Sequence, residues 1–338
     1  MLKLQYPILL IKSTVKRSFS SLGRLIDKSG DTIARMLAAS SDSFGNVQKI
    51  ATTTFKDRKT VFLSIDDTLI KKFFSRFMEG SGYFFDSKLG RRIMAYKLMA
   101  GMITDGHYYF PFTGDFLFPA ELAKDAKKRK LELFKAIVRL TQKLFSHKNI
   151  IVVADGAFAT VAVLTWLIEN NIKFEIRLAR NRKITYNGTR LRVDEIKGFT
   201  PKGRQMARTV KAFWHNLDLF ISAERRIDKY GNETIVYLAS NYKTSPIMHV
   251  KNYKKRWPIE KFFRTSKQHL GLQECFSTKM ETQKKHIASV FLAYSIVQLE
   301  MKKRRLKKPE EAIRALKMYK CNELSSLMAP LEDVFAMV

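Results

Sequence analysis

Apolar positions change their period along the chain, and the changes divide it. Between Phe19 and Leu37 they recur at helical spacing, first Leu22, Leu25 and Ile26, then Ile33, Met36 and Leu37, on either side of Lys28-Ser29-Gly30-Asp31. The glycine and the helix-capping Asp31 suit a tight turn, so this segment predicts two short helices, either a helix-turn-helix or an ordinary helical hairpin. From Val61 the period shortens. Val61-Phe-Leu-Ser-Ile65 is an apolar run ending at Asp66, and Ile93–Ile103 and His107–Leu117 predict consecutive antiparallel strands around a turn at Asp105-Gly106. A helix is expected over Lys127–Phe145, a buried strand over Ile150–Ala154 ending at Asp155-Gly156, a helix to about Asn170 and a strand over Phe174–Leu178. Strands alternating with helices indicate an α/β layer.

Residues 181–245 break that rhythm. A hairpin signal at Asn187-Gly188 and a turn at Tyr230-Gly-Asn232, flanked by β-rich runs such as Thr234–Leu238, predict a β-rich insertion. After Pro258 helical spacing returns, with Ile259, Phe262, Phe263, Ser266 and Leu270 on one side, and a second helix runs from about Lys284 through Met301. The expected organisation is a helical region over residues 1–58, a catalytic-type α/β domain over 59–305 with its insertion at 181–245, and a basic helical tail over 306–338.

Charge narrows the possible partners. Of 338 residues 62 are Lys or Arg and 31 are Asp or Glu, a formal charge of +31. Residues 171–215 hold 12 cations against 3 acids, and residues 251–320 hold 19 against 6. A compact chain with this much like charge repels itself, and nucleic acid is the polyanion best suited to offset it, because each neutralised phosphate releases condensed counterion. An anionic membrane surface fits less well, since no basic helix carries Trp, Phe and Leu on its opposite face. The longest apolar stretch, Ile287–Leu299, is shorter than the ~18–20 residues a span needs, and Pro7–Ile11 is too brief for a signal-peptide core. A soluble protein of a reducing compartment, without membrane association, is therefore expected. Its two cysteines, Cys275 and Cys321, give neither a disulfide framework nor a zinc-finger spacing.

In so basic a chain, acids that end apolar strands stand out, and there are two, Asp66 and Asp155. Strand ends are where α/β sheets place their ligands. A third acid, Glu260, falls in the first turn of a helix opened by Pro258, where the dipole favours a carboxylate. Arg264 and Lys267 follow at i+4 and i+7, so one face carries a carboxylate with two cations and the other carries the phenylalanines. Singly, each acid reads as a helix cap or a surface ion pair. Together, with no His or Cys cluster, they suggest a hard, oxygen-only site for Mg²⁺ or Mn²⁺. Two such ions can activate a water or a 3′-hydroxyl and stabilise the leaving oxygen in attack on a phosphodiester. His269 and His286 lie among helical apolar residues and are expected to be core residues.

These residues resemble the DDE transposases of bacterial insertion sequences. The motifs are Ser64-Ile-Asp66-Asp67-Thr68, Val153-Ala-Asp155-Gly-Ala-Phe158 and Tyr253-x2-Arg256-x3-Glu260-x6-Lys267, the last matching the Y-R-E-K pattern of the family-four group; His269-Leu-Gly-Leu272 and Lys285-His-Ile-Ala288 are also similar. The likeness covers roughly residues 58–305. It implies an RNase H-like mixed sheet flanked by helices, with a β-rich insertion before the glutamate helix. It also implies a metal-binding triad of Asp66, Asp155 and Glu260, with Tyr253, Arg256 and Lys267 contacting DNA at the cleavage site. Asp67 competes with Asp66 for the first position, and alternation weakly favours Asp66, which shares a strand face with Ser64 and Phe62. Trp257 is either a stacking platform for an extruded base or a half-buried core residue.

The expected function is a transposase that binds the terminal inverted repeats of its element as a homodimer on paired double-stranded ends, frees 3′-hydroxyls and joins them to target DNA, in a bacterial cytoplasm at the nucleoid. The alternatives are a metal-dependent DNA endonuclease or resolvase on the same fold, and a non-catalytic DNA-binding relic.

Overall fold

A computed structural model of the chain describes residues 2–39, 43–73, 75, 77–119 and 126–318; Cys321 and most of the expected tail lie outside them. Four helices come first, α1 (Leu2–Lys12), α2 (Phe19–Arg24), α3 (Gly30–Ala39) and α4 (Ser43–Thr54). Strands β1 (Thr60–Lys71), β2 (Gly82–Asp86), β3 (Arg91–Thr104) and β4 (Tyr109–Leu117) follow, then α5 (Ala126–Leu144), β5 (Asn149–Ala154), α6 (Val161–Glu169) and β6 (Lys173–Leu178). The segment between β6 and the last helices holds β7 (Lys183–Tyr186), β8 (Thr189–Arg192), β9 (Ala207–Trp214), β10 (Leu217–Ile227) and β11 (Glu233–Ser240). Helices α7 (Pro246–Lys254), α8 (Trp257–His269), α9 (Met280–Arg304) and α10 (Pro309–Met318) complete the described chain.

All the described strands form one mixed sheet in the order β2-β3-β1-β5-β6-β11-β10-β9-β7-β8, with β4 also paired to β3. The order β4-β3-β1-β5-β6, antiparallel up to β1 and parallel from β1 through β5 to β6, is the RNase H-like arrangement that the resemblance implied. The insertion does not form a sheet of its own, because β11 pairs antiparallel with β6 and extends the same layer.

Local chemistry explains most of these elements. Asn187 and Gly188 both take positive φ (48° and 77°), as a two-residue hairpin between twisted strands requires. His215 and Asn216 do the same between β9 and β10 (49° and 64°), a turn without the usual Asn-Gly signal. Strand β2 was not expected, because Gly82-Tyr-Phe-Phe-Asp86 shows no alternation of apolar and polar residues, although its burial alternates along an edge strand paired with the first five residues of β3.

The run Ile287–Leu299 is apolar on every side because α9 is enclosed on every side. Helices α1, α3, α4 and α10 pack on it from outside and β4 from the sheet. Phe262 of α8 meets it in edge-to-face contacts with Phe291 and Tyr294, each at 4.9 Å between centroids. The N-terminal residues, polar on average, contribute Ile8–Ile11, Leu22, Ile33 and Leu37 to this same core. The helical hairpin of α2 and α3 is present, with those apolar residues turned inward. Among the described residues no helix is long and apolar enough to cross a membrane.

His286 and His269 differ, since His286 is the core residue expected and His269, near the end of α8, is only half-buried. His286 is fully buried, its Nε2 donating to the Gly271 carbonyl (2.9 Å) and its Nδ1 accepting from the Tyr6 hydroxyl (2.8 Å). Gly271 takes φ +72°, and a Cβ there would lie 2.5 Å from Arg17 Cδ, which explains the glycine of the His269-Leu-Gly-Leu272 motif. Arg17, itself buried, donates to the backbone carbonyls of Leu10 (2.8 Å) and His269 (2.5 Å) and so pins the end of α8. Burial holds His286 neutral, its pKa pushed down to about 4. A histidine that titrates lower folded than unfolded withdraws stability as pH falls from about 6.5 to about 4. His286 should therefore contribute a loss of about 3 kcal/mol over that window, read as the difference in the pH dependence of urea unfolding between the wild type and His286→Gln, and the same pH dependence in both proteins would contradict the assignment.

Candidate active site

The parallel ladder between β1 and β5 ends at the pair Ile65 and Ala154. The next residues, Asp66 and Asp155, therefore stand side by side where β5 ends; contrary to the expectation from the sequence, Asp66 does not end its strand but lies within β1, paired with Ala100 of β3, because β3 carries the ladder on to Lys71. At Asp155 the backbone turns into a single 3₁₀ turn, and the carboxylate caps it by accepting from Ala157 N–H at 2.9 Å. Asp66 Oδ1 accepts from the backbone N–H of Asp67 at 2.8 Å. Burial, and then the charge of Asp155, pushes the Asp66 carboxyl up to about 7, against the opposing pull of Arg256.

Glu260 reaches this pair through Arg256. One guanidinium nitrogen of Arg256 bonds Asp66 Oδ2 at 3.1 Å and the other bonds Glu260 Oε1, while the arginine side chain is only 9% exposed. Its Cζ lies 5.8 Å from the ring centre of Tyr253 and 5.6 Å from that of Trp257. Ser64 fixes the junction that carries Arg256, donating to the Lys255 carbonyl at 3.0 Å from inside β1. The glycine of the Asp105-Gly106 turn leaves room beside it, since a Cβ at Gly106 would collide with the Lys255 ammonium.

The other residues singled out in the sequence are distributed along α8 and its approach. Tyr253 is buried (3% exposed) against Val250, Val236 and Leu238, and burial pushes its phenol above the ordinary range. As placed, Tyr253 and Arg256 offer little surface to an outside ligand. Trp257 is 42% exposed and Arg264 is exposed, so both face solvent. Lys267 donates to Thr68 Oγ1 at 2.7 Å, and burial followed by the neighbouring charges of Lys71 and Lys88 lowers its pKa to about 8. Asp67 points away from this group and pairs with Lys97 (3.1 Å) and Lys130 (3.3 Å).

Behind the aspartates sits a polar cluster that sequence reasoning missed. Glu175 on β6, opposite Val153 of β5, is fully buried. Its Oε1 lies 2.6 Å from both the Tyr242 hydroxyl and His249 Nδ1, and Asn252 donates to the Tyr242 hydroxyl at 2.9 Å. This ties α7, which delivers Arg256, to the strand beside Asp155. The only signal in the sequence was an acid in the middle of the apolar run Phe174–Leu178.

As donors, Asp66 and Asp155 fit a hard divalent cation, being oxygen ligands on adjacent strands whose mutual repulsion a cation would relieve. Among the described residues, no three His, Cys, Asp or Glu side chains converge closely enough to hold an ion as a set.

The family model of the Transposase DDE domain matches residues 57–296. This chain belongs to the DDE transposase domain family. The matched span of the DDE domain runs from just before β1 into α9 and takes in all three carboxylates. No curated protein matches the chain. Solved structures that resemble it include the Mos1 transposase paired-end complex with left transposon end, at 14% identity, covering 51% of this chain and 56% of that one with a TM-score of 0.20. The Mos1 mariner paired end complex with Mn is similar at 14% identity over 47% of this chain and 54% of that one, with a TM-score of 0.21. The chain thus spans a little over half the length of these solved relatives.

Proposed function

We propose that this protein is the transposase of a bacterial insertion sequence, of the family-four group with the Y-R-E-K signature, acting by cut-and-paste on its own terminal inverted repeats. The observation that carries the reading is the linkage of three separated acids, with Asp66 of β1 beside Asp155 at the end of β5 and Glu260 joined to Asp66 by one guanidinium. The orientation of Asp66 toward that group, and of Asp67 toward Lys97 and Lys130, favours Asp66 as the first member. Residues 59–305 would form the catalytic domain, with the helices of residues 1–58 and the tail of 306–338 flanking it.

Asp66, Asp155 and Glu260 would hold Mg²⁺ or Mn²⁺, as two ions, which when bound supply activation of the attacking oxygen and stabilisation of the leaving one. The chain's own residues position the reactants. Arg256 orients the Asp66 and Glu260 carboxylates, and the Glu175 cluster holds the helix that delivers Arg256. Lys267 and Arg264, farther along α8, would neutralise phosphates of the bound strand, and Trp257 would pack on a base beside the scissile bond. In the first step water adds to phosphorus, the bond to the 3′-oxygen breaks, and that oxygen leaves as a hydroxyl. In the second the 3′-hydroxyl attacks a target phosphodiester, its proton passing to the displaced 3′-oxygen. Two ends must be processed together, which calls for a homodimer on paired double-stranded DNA, at the nucleoid of the cytoplasm.

The test incubates the purified protein and Glu260→Gln with a plasmid bearing the element's two ends and Mg²⁺. End-specific nicks followed by joined products, absent in the variant, support the proposal. Nicks without joining would make the protein an endonuclease, and tight end binding without cleavage a DNA-binding relic.

A further inference from the structure

Strand β1 runs on past its partner. The β5 ladder stops at Ile65, whereas β1 continues to Lys71 beside the β2–β3 hairpin. A groove of about 650 Å³ lies there, lined among others by Thr68, Lys71, Phe84, Phe85, Lys88 and Lys267. It begins one residue beyond Asp66 and shares Lys267 with the helix that carries Glu260. Its rim is aromatic and exposed. On the outward side of β2, Phe85 is 64% exposed and Tyr83 is 55% exposed.

Exposed aromatics on an edge strand are an aggregation hazard that a fold does not keep without a use. Here they stand among cations: Lys88, Arg91 and Arg92 are exposed around them, and Lys71 and Lys88 lie close enough to Lys267 to oppose its charge. The two carboxylates of the groove, Asp67 and Asp86, are already engaged by Lys97 and Lys71. An apolar protein partner would have to bury these lysines, whereas a nucleic-acid strand matches both features. In a duplex the base faces are stacked on each other, so aromatic rings can meet them only where the bases are unpaired.

We propose that this groove binds unpaired nucleotides of the DNA strand beside the catalytic carboxylates, with Lys88 and Lys267 on phosphates and Phe85 with Tyr83 stacked on bases. The inference rests on the transposase reading and assigns the form of substrate that this side of the site accepts.

Fluorescence anisotropy tests it with the full chain and no divalent ion, on a blunt 20-bp duplex and on the same duplex carrying an eight-nucleotide oligo-dT tail. The wild type should bind the tailed duplex more tightly. Tyr83→Ala/Phe85→Ala should lose that preference, by about 10-fold or more, with blunt-duplex affinity within about twofold. Tyr83→Trp/Phe85→Trp should keep it, which separates stacking from misfolding. Equal affinity of the wild type for both duplexes overturns the proposal, as does equal weakening of both by the Ala variant. A fall in oligomeric state by light scattering, with DNA binding unchanged, would also overturn it and make the patch a contact between copies. Parallel cleavage assays keep the two readings distinguishable: Mg²⁺-dependent cleavage without tail preference refutes this groove alone, and absence of cleavage with tail preference intact refutes the catalytic reading alone.

Discussion

Asp155→Asn is expected to reduce strand cleavage by about 10³-fold or more, equivalent to ~4 kcal/mol of transition-state stabilisation, without weakening the metal-free fold. Asparagine keeps the volume and the oxygen that caps the 3₁₀ turn at Ala157, so the local backbone has no reason to change. What it removes is the negative charge beside Asp66. That charge, after burial, is what raises the Asp66 carboxyl to about 7 from an ordinary value of 3.8. A carboxyl that titrates higher folded than unfolded holds its proton longer in the folded chain, so stability falls as pH rises between about 4 and about 7. Without the Asp155 carboxylate that fall is smaller. Thermal melts in EDTA should therefore place Asp155→Asn at or above the wild type at pH 8 and level with it near pH 4, while gel assays show cleavage lost. Cleavage and stability falling together would indicate misfolding, and undiminished cleavage would remove Asp155 from the site.

Glu175→Ala should cost about 3–5 kcal/mol of unfolding free energy, the largest stability effect expected from any polar substitution here. The carboxylate is wholly buried, and His249 Nδ1 and the Tyr242 hydroxyl both depend on its Oε1. Alanine leaves both groups in the interior without their acceptor. Because His249 belongs to α7, loosening it should also reduce cleavage by freeing Arg256 from its position between Asp66 and Glu260. Glu175→Gln retains one acceptor oxygen and should cost clearly less. Urea denaturation of both variants checks the order, and a loss below about 1 kcal/mol for the alanine variant would show that the cluster contributes little.

Much of the fold was legible because its strands announce themselves locally. Asp105-Gly106 and Asn187-Gly188 turn the chain where a glycine or asparagine can take positive φ, and Val61–Ile65, but for Ser64, and Ile150–Ala154 are apolar, as strands covered on both faces must be. Strand β2 escaped notice because aromatic residues on both faces of an edge strand hide its alternation, and the His215-Asn216 turn because neither residue is a glycine. Helix α1 escaped because a short apolar run at a chain start reads equally as a buried helix, a strand or nothing. The positions of Asp66, Asp155 and Glu260 stood out by contrast with a basic chain, but Glu175 and His249 did not. A buried carboxylate is informative only when its partner is known, and its partner lies 74 residues away.

The sequence by itself determined the alternation of elements, the strand end that carries Asp155 and the helix phase that sets Glu260, Arg264 and Lys267 on one side, whereas it ended β1 too early, at Asp66. Each of these follows from local period and turn chemistry. Only the tertiary structure decided that β11 joins β6 to make one sheet, that Arg256 lies buried between Asp66 and Glu260, and that α7 hangs on Glu175. Pairings across tens or hundreds of residues are selected by which side chains can be buried together with their polar groups satisfied, and that condition exists only once the chain has closed on itself.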